Sequence, residues 1–153
     1  MGDMARKRLE IIRQLRQEGV FDMQKELTIP MFAQRVAVIS SESAAGYGDF
    51  RGQLSNNDYG FKFYPRLFAA VMQGECVEQS VVAALNEINR HADDFDVVVI
   101  IRGGGATADL SGFDTLELAE NVANFPLPII TGIGHERDES VLDMVSNLSL
   151  IHI

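Results

Sequence analysis

Asp96-Val97-Val98-Val99-Ile100-Ile101-Arg102-Gly103-Gly104-Gly105 places five consecutive β-branched residues directly before an arginine and three glycines. A run this short and apolar on both faces reads as a buried strand of a parallel sheet, covered on either side. Two further runs have the same character. Arg35-Val36-Ala37-Val38-Ile39-Ser40 leads into the small polar loop Ser41 to Gly48, and Leu127-Pro128-Ile129-Ile130 leads into Thr131-Gly132-Ile133-Gly134-His135-Glu136-Arg137-Asp138.

Between these runs the spacing is helical. Leu9, Ile12 and Leu15 predict a helix over residues 4–18, stopped by Gly19. Val77, Val81, Leu85 and Ile88 predict another that ends near Asn89 or His91, and further helices are expected through Phe50 and Leu54, over 114–124 and over 139–148. Gly60 to Met72 reads as a strand followed by an extended stretch, with Pro65 interrupting. Residues 20–34, which contain Pro30, look like a connector.

Strands alternating with helices imply right-handed crossovers. The expected fold is α/β, a mostly parallel sheet with helices on both faces in a Rossmann-like three-layer sandwich. It would occupy residues 35–153, after an N-terminal helix and connector over 1–34. All strand C-termini then share one edge, so Ser41 to Asp49, Arg102 to Gly105 and Thr131 to Asp138 should converge there.

Composition limits the rest. A chain of 153 residues fits one domain that buries enough surface to fold without covalent staples. Cys76 is the lone cysteine, which excludes an internal disulfide framework and suits a reducing compartment. The chain has no apolar stretch of membrane-spanning length and no signal-peptide pattern, so it is expected to be cytoplasmic, with no membrane. The net charge of −9 is uneven: residues 1–92 hold eleven Lys/Arg and eleven Asp/Glu, whereas 93–153 hold two and eleven. A stand-alone nucleic-acid binder is normally basic, so either the ligand is small or other domains, subunits or cations supply positive potential.

Three glycines after a strand let backbone approach a ligand and form an anion nest beside a helix N-terminus, to which Arg102 can add a bidentate contact. The same glycines suit a tight turn, with Arg102 paired to a carboxylate. There is no Lys-Ser/Thr ending of a P-loop and no GxGxxG fingerprint. Histidine as a residue type titrates near neutrality, so a proton can move at position 135, with Asp138 one turn on to orient the imidazole or bind a cation. Alternatively His135 caps the last helix and Asp138 is an ordinary first-turn acid. Asp49, after Gly46-Tyr47-Gly48, could bind metal or position water, while capping is the simplest role for Asp109 and Asp114. Ser40 and Ser41 could hydrogen-bond phosphate.

These motifs, with Ala44-Ala45-Gly46-Tyr47-Gly48-Asp49-Phe50, Asp109-Leu110, Phe113-Asp114 and Asp143, resemble in order and spacing those of the exodeoxyribonuclease VII large-subunit family. Glu18-Gly19-Val20-Phe21-Asp22 also fits, and the likeness runs from about residue 4 to 147. The resemblance implies hydrolysis of single-stranded DNA from both ends to 5′-phosphorylated products. It makes Asp49, Arg102, His135 and Asp138 catalytic, with Ser41, Arg102, Gly103, Gly104, Gly105 and Gly134 at the phosphate. The resemblance leaves the metal requirement open: no cofactor is certain, Mg2+ is possible, and Asp49 and Asp138 are the candidate ligands. Such subunits usually carry an OB-fold ahead of this region and, behind it, a long helical region that recruits the exodeoxyribonuclease VII small subunit. The chain is therefore expected to be the central catalytic fragment. The alternative is a non-catalytic α/β module that binds a small phosphorylated ligand.

Overall fold

The computed structural model describes residues 2–41, 48, 50–52, 55–56, 62–102, 110–134 and 139–150. Among them, β1 (Arg35–Ser40), β2 (Tyr64–Ala69), β3 (Val97–Ile101), β4 (Ile129–Gly132) and β5 (Leu148–Ser149) form one all-parallel sheet in the order β2-β1-β3-β4-β5. The helices are α1 (Asp3–Glu18), α2 (Met23–Glu26), α3 (Val77–Arg90), α4 (Leu116–Ala123) and α5 (Val141–Val145). Gly48, Phe50 to Gly52 and Ser55, between β1 and β2, also have helical backbone.

The strand order reverses once, between β1 and β3. Right-handed crossovers must then put the β1-to-β2 connection on one face and the later helices on the other. The two cores fit this division. Ala37, Ile39, Val98, Ile100 and Ile129 pack with Val81, Leu85 and Ile88 of α3, Leu118 and Val122 of α4 and Leu142 of α5. The alternate residues Val36, Val38, Val97, Val99 and Ile101 form a second cluster with Phe50. The three-layer α/β expectation is met.

Pro65 does not interrupt its strand. Tyr64 N donates to Gln34 O (2.8 Å) and Ala70 N to Ser40 O (2.9 Å), so by the two-residue period the even-numbered amides of β2 face β1. Pro65 occupies a position whose N–H would point away from the sheet, and β2 is an edge strand, where proline is tolerated.

Other expectations need correction. In α1, Ile11 and Leu15 turn inward, while Leu9 is 51% exposed. Glycine ends the helix as expected: Gly19 takes the left-handed conformation (φ 76°). α4 starts at Leu116, because Thr115 is its cap and Ser111–Phe113 forms a 3-10 turn. β4 begins two residues later than read, after Pro128, and α5 stops at Val145. The two-residue β5 was not foreseen, since so short a strand has no apolar alternation to detect.

The N-terminal segment is built into the same core through Ile11 and Leu15. Gln24 of α2, fully buried, donates from Nε2 to Phe125 O (3.1 Å) and Leu127 O (3.0 Å) and accepts from Ile129 N at Oε1 (2.8 Å). The side chain thereby satisfies three backbone groups at the entrance to β4.

Candidate active site

The strand tips at the point of reversal belong to β1 and β3, which end in Ser40 and Ile101. In open parallel sheets this crevice takes the ligand, because the flanking loops diverge to opposite faces. Ser40 is fully buried there, and among the described residues its Oγ has no hydrogen-bond partner. Ser41, the next residue, is partly buried.

Arg102 follows β3 and reaches sideways to the neighbouring strand. Its backbone N donates to Gly132 O (3.2 Å), continuing the β3–β4 ladder, and its Nε donates to Ile133 O (3.3 Å). The two loops separated by 31 positions thus meet where topology predicts, and Arg102 stands beside the Gly132-Ile133-Gly134 turn. A Cβ at Gly132 would lie 3.0 Å from Leu150 Cδ1 and 3.3 Å from Ile101 Cγ2, so a side chain fits there only if these two atoms give way by a few tenths of an ångström.

Gly134 is held from below by Asp143, a buried carboxylate of α5. Asp143 and Ser140 form a reciprocal capping box, in which Ser140 Oγ accepts from Asp143 N (3.2 Å) and the carboxylate accepts from Ser140 N (3.2 Å). Thr131 Oγ1 and Ser149 Oγ also donate to it, at 2.9 and 3.2 Å. In the sequence Asp143 is marked only as a companion of the glycine-histidine motif. The Ser140-x-x-Asp143 spacing, an acid three residues after a helix-capping serine, was the signal available.

Asp114 is buried and serves a helix other than the one it precedes. Its Oδ1 accepts from Val141 N (2.8 Å), the first residue of α5, and its Oδ2 accepts from Arg8 Nε (2.6 Å). Capping was the right chemistry, but a remote helix receives it. Asp49, Gly103, Gly104, Gly105, Asp109, His135 and Asp138 lie outside the described residues. Of the predicted site, then, Ser41, Arg102 and Gly134 are placed, and Arg102 and the Gly134 turn are brought together. Among the described residues no group of three or more His, Cys, Asp or Glu could hold a metal ion, and no helix is long and apolar enough to cross a membrane.

An open parallel sheet that reverses its strand order, with an arginine and a glycine turn at its strand tips, defines a doubly wound α/β domain, a class that takes ligands at that edge. A family model described as exonuclease VII, large subunit, matches residues 20–150, and the chain belongs to that family. It is 34% identical over 147 residues to the "Exodeoxyribonuclease 7 large subunit" of Cyanothece sp. (strain PCC 7425), covering 96% of this chain and 34% of the relative. The protein of the same name from Deinococcus radiodurans is 38% identical over 152 residues, covering 97% and 36%. The chain spans about a third of the length of these curated relatives.

Proposed function

We propose that this chain is the catalytic domain of an exodeoxyribonuclease that hydrolyses single-stranded DNA from both ends to 5′-phosphorylated products. Residues 35–153 form the nuclease unit, with 1–34 as helix and connector. Arg102 and the amides of Gly103, Gly104, Gly105 and Gly134 hold the scissile phosphate, with Ser41 beside it. His135 acts as general acid/base, Asp138 orients it, and Asp49 positions water or Mg2+, with Asp138 as a second candidate ligand. Water attacks phosphorus, the bond to the 3′ oxygen breaks, and that oxygen takes a proton as it leaves. The partner is the family's small subunit, and the compartment is the cytoplasm. The acidic half of the chain fits a unit whose DNA grip is supplied by other regions.

The observation that carries this reading is the Arg102 Nε bond to Ile133 O, which sets a guanidinium beside the turn leading to His135 in a member of the exonuclease VII large-subunit family. The test uses the complete large subunit with its small subunit on end-labelled single strands, with Mg2+ and with chelator. Release of 5′-phosphorylated oligonucleotides is expected. Arg102→Ala or His135→Ala should lower the rate by about a hundredfold or more without unfolding the protein. Undiminished activity in both variants removes the site assignment. An inactive wild-type complex that one phosphorylated metabolite stabilises strongly would instead establish a ligand-binding module.

A further inference from the structure

Gly134 and Ser140 bracket the stretch of sequence that contains His135 and Asp138, and both are bonded to one oxygen of Asp143. Its Oδ2 accepts from Gly134 N (2.9 Å), Ser140 N (3.2 Å) and Ser140 Oγ (2.7 Å). The two amides are therefore no further apart than those two N–H···O bonds laid end to end. Oδ1 accepts from Thr131 Oγ1 (2.9 Å), Ser149 Oγ (3.2 Å) and Ile133 N (3.4 Å). A carboxylate only 3% exposed thus ties β4, the turn after it, the start of α5 and β5 to one point.

A capping box on the five-residue α5 needs only the bonds to Ser140. The bonds to Gly134 and Ile133 are additional and run to the turn beside Arg102. We propose that Asp143 is a positioning residue, a clasp that closes the neck between Gly134, at the tip of β4, and Ser140, at the start of α5, which flank His135 and Asp138 in the sequence. Its effect on rate rests on the nuclease reading above; the clasp itself does not.

The chemistry of the donors predicts how variants differ. A carboxylate offers acceptors only, which suits convergent donors. Facing Oδ1, the two shorter bonds come from hydroxyls, which can rotate and accept instead. Facing Oδ2 are two backbone amides, which cannot. Asparagine would turn its NH2 toward the hydroxyls, keep its carbonyl on Gly134 and Ser140 and preserve the neck. Alanine would open it.

The experiment compares wild type, Asp143→Ala and Asp143→Asn in the complete subunit with its small-subunit partner. Peptide-resolved hydrogen exchange over residues 129–143 is measured beside steady-state hydrolysis of single-stranded DNA. Asp143→Ala should speed exchange around Gly134 by about tenfold or more relative to β3, and should lower kcat by about a hundredfold while KM changes little. Asp143→Asn should retain the protection and restore most of kcat. A carboxylate that only caps α5 would lower the unfolding midpoint yet leave Gly134 exchange and kcat per folded molecule unchanged, and that result overturns the clasp. If Asp143→Ala does not fold, Ser140→Ala removes one arm of the clasp and should show a smaller loss of the same two kinds; no change in either rejects it. An inactive wild type would overturn the nuclease reading alone, since exchange judges the clasp without activity.

Discussion

Arg8 and Asp114, 106 positions apart, meet through a 2.6 Å bond from Nε to Oδ2 with both side chains largely buried. Asp114 also holds the first amide of α5 at 2.8 Å, so α1 is tied to the helix that carries Asp143. Removing one member of a buried pair strands the other charge. Arg8→Met is expected to destabilise the protein by about 3 kcal/mol in denaturant unfolding. A change below about 0.5 kcal/mol would mean that the pair behaves like a solvated surface contact.

Gln24 makes a second, sharper prediction. Gln24→Leu leaves two carbonyls and one amide without their partner and should lose about 2–4 kcal/mol. Gln24→Glu would press a carboxylate on the carbonyls of Phe125 and Leu127, which favours its protonated form and raises its folded pKa above the unfolded one. That stability contribution is present below the unfolded value of about 4.3 and lost as pH rises. Unfolding midpoints at pH 4 and pH 8 test this: the glutamate variant should lose stability relative to wild type between the two.

At the same end of the strands Asp96 behaves inversely. The Arg35 guanidinium, 3.0 Å from Oδ1, together with the amides of Arg35 and Gln34 holds its carboxyl down to about 2. A depressed pKa contributes stability above the ordinary carboxylate value, and that contribution disappears as pH falls from about 4 toward 2. Asp96→Asn should therefore flatten the fall of stability across that window and lower stability at neutral pH. An unaltered acid profile would show the latch to be inert.

Arg102→Lys separates charge from geometry. Lysine keeps the charge but not the planar fork whose Nε reaches Ile133 O. On the nuclease function proposed above, activity of the complete subunit on single-stranded DNA should fall by about a hundredfold, with a stability loss of about 1 kcal/mol. Full activity in the lysine variant would reduce the role of Arg102 to that of a point charge.

The strands central to the sheet were legible because runs such as Val36 to Ile39 and Val97 to Ile101 are apolar on both faces, a pattern only burial explains. The tip where Arg102 meets the β4 turn followed from topology alone. What escaped was polar and long-range. Asp143 and Asp114 look like ordinary helix-start acids, and only tertiary structure reveals that one gathers donors from four elements and the other caps a distant helix. Leu9 misled for a related reason: three apolar residues on α1 do not say which of them faces the core, and Arg8 turns inward to reach Asp114.

Pro65 bears on how the protein keeps company with copies of itself. An edge strand offers unpaired donors to any extended chain nearby, and the proline deletes one from the outward row of β2, a strand that also carries the exposed charge of Arg66. The other edge, β5, is two residues long, too brief a template for docking another strand. Among the described residues both borders of the sheet thus resist growth into a continuous ribbon, a safeguard against aggregation written into the same strands that build the core.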